Sequence, residues 1–183
     1  ELGKSAALTR ELLFWDLLNS GFVTTKIVGI DGGALFSSHN LVGGGTYSNY
    51  ATAGSALSMT SLQAAYNNFE KMVNERGNPR PAVPKILIVP PELRFEAESL
   101  LKSEYNPENA NQQVNTVGNK GVEWKTIHYL SSTTAWFLAT EKQYHDLRFI
   151  NRKQLQLKQW DEPAKRIAVF QAAMRCTCDF VNW

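Results

Sequence analysis

Residues 85–91 read KILIVPP, and this short run limits the fold more than any other part of the chain. An unbroken apolar stretch between a lysine and two prolines makes a strand with no polar side, so both faces of its sheet must be covered. Pro91 suits the first position of a helix, where its fixed φ and missing N–H do no harm. ELRFEAESLLKS then follows with Leu93, Ala97, Leu100 and Leu101 on one face. Upstream, SALSMTSLQAAYNNFEKMVNERG places Leu62, Ala65, Tyr66, Phe69, Met72 and Val73 at helical spacing, with Ser58 as N-cap and Arg76–Gly77 as the end. The Tyr66, Phe69 and Met72 stripe reads as core packing, not as a cofactor box. Helix, buried strand and helix in close succession predict a sheet with helices packed on it.

Ahead of that unit, AALTRELLFWDLLNSGF carries Leu8, Leu12 and Trp15 at helical spacing and stops at Asn19, Ser20 and Gly21. Its apolar side is wide enough to be covered by other elements. Residues 22–54 are rich in glycine and hydroxyl side chains and read as a long ordered loop anchored by Tyr47 and Tyr50, with short strands at FVTTKIVGI and ALFSS. EYNPENANQQVNTVGNK is asparagine-rich and predicts a surface loop. VEWKTIHYL, TAWFLAT, DLRFINRK and QLQLKQW then read as strands. KRIAVFQAAMRCTCDFVNW closes the chain as a long strand with a bulge at Ala172–Ala173. No internal repeat interrupts this order, and the fold class is α+β with mostly antiparallel strands in the last third.

Composition narrows the function. With 43% apolar and 20% charged residues, the 183-residue chain has the balance of a folded soluble protein. A net charge of +2 does not by itself imply nucleic-acid binding. The modest excess of cations lies at the C-terminal end, where Lys+Arg and Asp+Glu number 8 and 5 over residues 141–183, and it reads as a solvated strand surface. No apolar run reaches the length of a membrane span, and no secretory signal is present. Cys176 and Cys178, two residues apart on a strand, read as reduced thiols that suit a reducing cytoplasm. His39, His128 and His145 have no metal-ligand spacing. Glu1 and Trp183 both look like cut ends, so the chain is read as a piece of something longer.

The candidate chemistry concentrates in DGGALFSSHNLVGGGTYSNY, residues 31–50. Ser37 and His39 are two apart, with Asp31 near, which suggests a serine-type hydrolase. Such a nucleophile–base pair needs rigid aim from separate segments, and a nine-residue loop is expected to hold three members poorly. No strand–turn–helix elbow surrounds Ser37. GGGTY, from Gly43, lacks the lysine and Ser/Thr of a phosphate-binding loop. Glu96 and Glu98 point different ways on their helix, Asp161–Glu162 sit in a turn before a proline, and His128 alternates with Trp124 on a strand face. No catalytic, cofactor-binding or metal-binding residue is assigned, and no cofactor is expected.

The landmarks, taken in order, do resemble a known group. DGGALFSSHN, SALSMTSLQAAYNNF, ILIVPPELRFEAESLLKS, the asparagine-rich loop, YLSSTTAWFLA and the closing MRCTCDFVNW resemble the ordered segments of the Mu-like prophage major head subunit family over nearly the whole chain. Two departures are visible: NLVGGGTYSN stands where many relatives carry a proline-bearing turn, and the family's tail beyond Trp183 is missing.

This resemblance implies a tailed-bacteriophage capsid protein of the Hong Kong ninety-seven-type fold. Residues 1–22 would be the C-terminal part of the spine helix in the peripheral lobe, 23–140 mainly the axial lobe, and 141–183 the closing strands of the peripheral lobe. The implied function is structural: self-association into hexamers and pentamers of an icosahedral shell around DNA. Scaffold, portal and decoration proteins are further partners, packaged DNA is met non-specifically on the inner face, and no membrane is involved. The implied location is the virion capsid, assembled in the bacterial host cytoplasm. In this family the Asp/Ser/His segment carries no chemistry, and His39 is expected to hydrogen-bond backbone groups. The family's N-terminal arm and hairpin loop have no counterpart here, so a chain of this extent is expected to fold but to close shells poorly alone. The alternatives are a hydrolase using Ser37 and His39, or another phage part such as a head decoration or tail-tube protein.

Overall fold

The computed structural model of the chain describes residues 1–25, 29, 31–51, 54–80, 82–106, 113–145 and 147–180. In chain order these form α1 (Leu2–Asn19), β1 (Ser38–Asn40), β2 (Thr46–Ser48), α2 (Met59–Glu70), β3 (Ile86–Val89), α3 (Arg94–Lys102), β4 (Glu123–Thr126), β5 (Phe137–Ala139), β6 (Leu147–Glu162) and β7 (Ile167–Phe180). The architecture is α+β.

The proline-bounded strand is the middle of a three-stranded sheet, ordered β4-β3-β5, parallel to β4 and antiparallel to β5. Its side chains alternate between two cores. Leu87 and Val89, both 0% exposed, pack with Leu62 and Tyr66 of α2 and with Ala97, Leu100 and Leu101 of α3. Ile88 and Phe137 face the other way, toward a second cluster built from Leu17 and Leu18 of α1, Leu35, and Cys178 and Phe180 of β7. The expected helix at Pro91 opens as one 3-10 turn, Pro91–Leu93, before α3. Ser58 caps α2 as expected, in a capping box in which its side chain and that of Ser61 exchange hydrogen bonds with each other's backbone N–H.

β6 and β7 form a long antiparallel ribbon, and α1 lies along one face of it. Near its base the Arg10 guanidinium sits 5.0 Å from the centre of the Phe149 ring. At the other end Glu1, Leu2 and Gly3 line one open cleft with Leu157 and Phe170. Asn19 ties the end of α1 to the central part of the chain: its Nδ2 donates to the Tyr129 carbonyl (2.9 Å) and its Oδ1 accepts from the Ser131 N–H (2.9 Å).

Several sequence expectations are corrected. ALFSS is a series of bends, with only Ser38 in a strand, because Phe36 and Ser37 spend their N–H groups on the Gly21 carbonyl and the Asn49 side chain. In FVTTKIVGI, residues 22–25 form turns, and 26–28 and 30 lie outside the described residues. α2 ends at Glu70, short of Met72, Val73 and Gly77, because the Asn74 side chain captures the N–H groups of Arg76 (3.0 Å) and Asn78 (2.9 Å) and turns the chain back. Gly77 supplies a positive φ of 79° inside that turn and does not cap the helix. The asparagine-rich loop is only partly a surface feature. Asn115 is 2% exposed and binds Leu100 O, Ser103 O, Val117 N and Gly118 N, while Val117 enters the first core; residues 107–112 are outside the described set. LRFINRK and QLQLKQW are one strand, with residue 146 outside the described residues; its irregularities fall on β6 between Asn151 and Gln156, leaving Ala172 and Ala173 in regular register.

Replacing Leu87 with Ala should lower unfolding stability by about 2–5 kcal/mol, the cost of an unfilled core cavity, measured by urea denaturation; a loss under about 1 kcal/mol would contradict a fully packed central strand.

Candidate functional site

The structure brings together the three residues that the sequence suggested would be poorly fixed. The Asp31 Oδ2 lies 2.6 Å from His39 Nδ1, and His39 Nε2 lies 3.3 Å from Ser37 Oγ. Each comes from a different piece of local structure. Asp31 sits in a tight turn where Gly29 N–H donates to Gly33 O at 2.8 Å and Gly33 N–H donates to Asp31 Oδ1 at 3.1 Å. Ser37 belongs to the bends, and His39 is the central residue of β1, opposite Tyr47 of β2. Asn49 braces the bends from beyond β2, accepting from Ser37 N–H (3.1 Å) and donating to Leu35 O (2.7 Å).

This packing is tight enough to require a glycine. A Cβ on Gly29 would stand 2.7 Å from Asp31 Oδ1 and 3.1 Å from the Phe180 ring. Phe36, next to Ser37, stacks on Phe137 at 5.2 Å and lies tilted at 39° to Phe22 at 4.9 Å. The knot therefore sits where the end of α1, the base of the ribbon and the central sheet meet.

Its hydrogen-bond polarity decides what it can do. His39 is fully buried, and its Nε2 also lies 3.3 Å from Leu35 O, a carbonyl with no hydrogen to give. Ser37 Oγ donates its hydroxyl hydrogen to Ala34 O at 2.9 Å, so that hydrogen is turned away from the imidazole. A serine nucleophile needs the opposite: a bare ring nitrogen receiving the hydroxyl hydrogen. Burial pushes the Asp31 carboxyl up, but the hydrogen bonds from His39 and Gly33 and the charge of the imidazole together outweigh it and hold the group below the ordinary carboxylate range. With Asp31 ionised, the His39 Nδ1–H donates to its carboxylate. The arrangement fastens residues 31–39 in one conformation. His39 bonds backbone, as expected, and also the Asp31 carboxylate, whose role the resemblance does not anticipate.

The other candidates disperse. GGGTY makes the β1–β2 turn, with Gly44 and Gly45 at φ of 90° and 92° and Leu41 N–H donating to Gly45 O. Glu98 pairs with Lys102 at 2.9 Å. Asp161 and Glu162 are the last residues of β6, not a turn. His128 lies past the end of β4 and is exposed, so it shares no strand face with the half-buried Trp124. Cys176 and Cys178 are free thiols, and burial with the neighbouring Asp179 charge pushes the Cys178 thiol up. Among the described residues, no three His, Cys, Asp or Glu side chains gather as a metal site, and no helix is long and apolar enough to cross a membrane. Asn49 and Asn115 were missed from sequence because an asparagine that binds backbone has no periodic or motif signal.

Comparison with known protein families aligns a family described as phage capsid protein with residues 1–182. No curated protein and no solved structure matches the chain.

Because the Asp31 pKa is depressed in the folded chain, its contribution to stability is present above about pH 4, the unfolded carboxylate value, and is lost as pH falls through the lower folded value. Asp31→Asn should therefore melt below the wild type at pH 7, with the gap closing toward pH 3. A gap that stays constant across that range would contradict an ionised Asp31 held by His39 and Gly33.

Proposed function

The chain belongs to the phage capsid protein family, and on that premise we propose that it is a Mu-like major head subunit of the Hong Kong ninety-seven-type fold. In this reading it assembles into hexamers and pentamers of an icosahedral shell that encloses DNA. The observation that carries the reading is the family match, which runs over almost the whole chain and leaves little of it for another activity. Two packed cores that share the central sheet support it. α2, α3 and the central sheet are assigned to the axial lobe; α1 and the β6–β7 ribbon are assigned to the peripheral lobe. Shell building then rests on contacts in which one face of a subunit meets a different face of its neighbour. DNA contact is phosphate-directed and non-specific. Scaffold, portal and decoration proteins are the further partners of such a subunit.

The Asp31–His39–Ser37 knot serves this role as a fastener at the meeting of the two cores. A hydrolase reading has the proximity of these residues in its favour and their hydrogen-bond polarity against it. Treatment with a fluorophosphonate probe should leave Ser37 unmodified; labelling at Ser37 that disappears in His39→Ala would favour the hydrolase.

Negative-stain electron microscopy of the concentrated chain should show five- or six-membered rings of wedge-shaped subunits. Three-fold caps or stacked tubes would point instead to a decoration or tail-tube protein.

A further inference from the structure

The unit formed by α1 and the ribbon leaves apolar surface on both of its outer sides. α1 packs inward through Ala6, Leu13, Leu17 and Leu18, yet Leu8 and Leu12, one turn apart on the opposite side, are 45% and 47% exposed. The ribbon repeats the pattern. β7 is two residues shorter than β6, and the extra residues fall on β6, so alternation along β7 runs unbroken from Phe180 to Ile167. Phe180, Cys178, Ala172 and Phe170 are thus on the α1 side, while Val169 and Ile167 are on the other. Direct cross-strand partners share a face, which puts Trp160 (opposite Val169) and Ile150 (opposite Thr177) on that outer side too. Trp160, Ile167 and Ile150 are 45%, 48% and 51% exposed.

Helix on ribbon is a packing this chain already makes with itself, and one unmatched copy of each surface is left over. α1 spans about 27 Å at 1.5 Å per residue and runs from the ribbon base, where Leu17 and Leu18 pack with Phe180, toward Leu157 and Phe170, which stay 62% and 59% exposed on the inner side. Their charges are complementary. Lys153, Lys158 and Arg175 interleave with the outer apolar residues of the ribbon, where Asp179 stands opposite Arg148 near the base and Glu162 is paired with Lys165 at 3.0 Å. The Leu8–Leu12 stripe is flanked by Glu11 and Asp16, with Lys4 toward its start.

Building on the capsid reading, we propose that the outer face of the β6–β7 ribbon docks on the outer face of α1 in a second copy of this chain. The contact is heterologous, so each copy offers one donor face and one acceptor face, and helix and ribbon layers alternate from subunit to subunit.

Blocking one face at a time tests this. Leu12→Glu closes the helix face and Trp160→Glu closes the ribbon face; both sites are exposed, and unchanged thermal melting confirms that each variant folds. By sedimentation velocity the wild type should form species larger than a dimer as concentration rises, and each variant alone should remain monomeric. An equimolar mixture should form a 1:1 dimer and nothing larger, because one open helix face and one open ribbon face remain. Variants that assemble as well as the wild type would overturn the docking faces while leaving the capsid reading intact. A mixture that stays monomeric would overturn the heterologous pairing, and a wild type that never associates would count against both.

Discussion

The structure depends on one strand that has no solvent side. β3 sends Leu87 and Val89 into the core beneath α2 and α3, and Ile88 into the core beneath α1 and the ribbon. Prolines on either side stop the strand from lengthening and set the chain into α3 without delay. Two hydrophobic clusters thereby share a single layer of backbone. Neither can be moved without disturbing the other, which is what a subunit needs if force on one contact is to be carried by the whole.

The loop that looked most like chemistry reinforces that junction. Asp31, His39 and Ser37 meet at hydrogen-bond distance, but the serine hydroxyl donates to Ala34 O where a nucleophile would aim it at the imidazole. The same three residue types can build a reactive site or a rigid corner, and the direction of the hydrogens separates the two. Around the knot, Phe22, Phe36 and Phe137 pack against one another, and the Gly29 backbone comes close to Phe180. The corner lies against both α1 and the end of β7.

Much of the fold was legible in the sequence where a period or a punctuating residue was present. The KILIVPP strand, the Ser58 cap and the helix after Pro91 follow from patterns that local physics enforces. α2 was read too long because Met72 and Val73 continue its stripe, and only the Asn74 side chain reveals that the backbone has turned. Asn115 was read as surface because polarity was taken for exposure, whereas four backbone partners make its burial favourable. The knot was underrated for a related reason. Its rigidity comes from Asn49 and from Gly29, both outside the segment in which its members lie. Family character was carried by the order of the landmarks, and the phage capsid protein family matches residues 1–182.

The most direct test of a shell-building role is a cryo-electron-microscopy reconstruction of phage heads containing this chain. The account predicts that the chain forms the head wall itself, repeated around five- and six-fold axes, with the ribbon of each copy against α1 of the next. Finding it only on the outer surface of a wall made by another protein, or in the tail, would contradict the account.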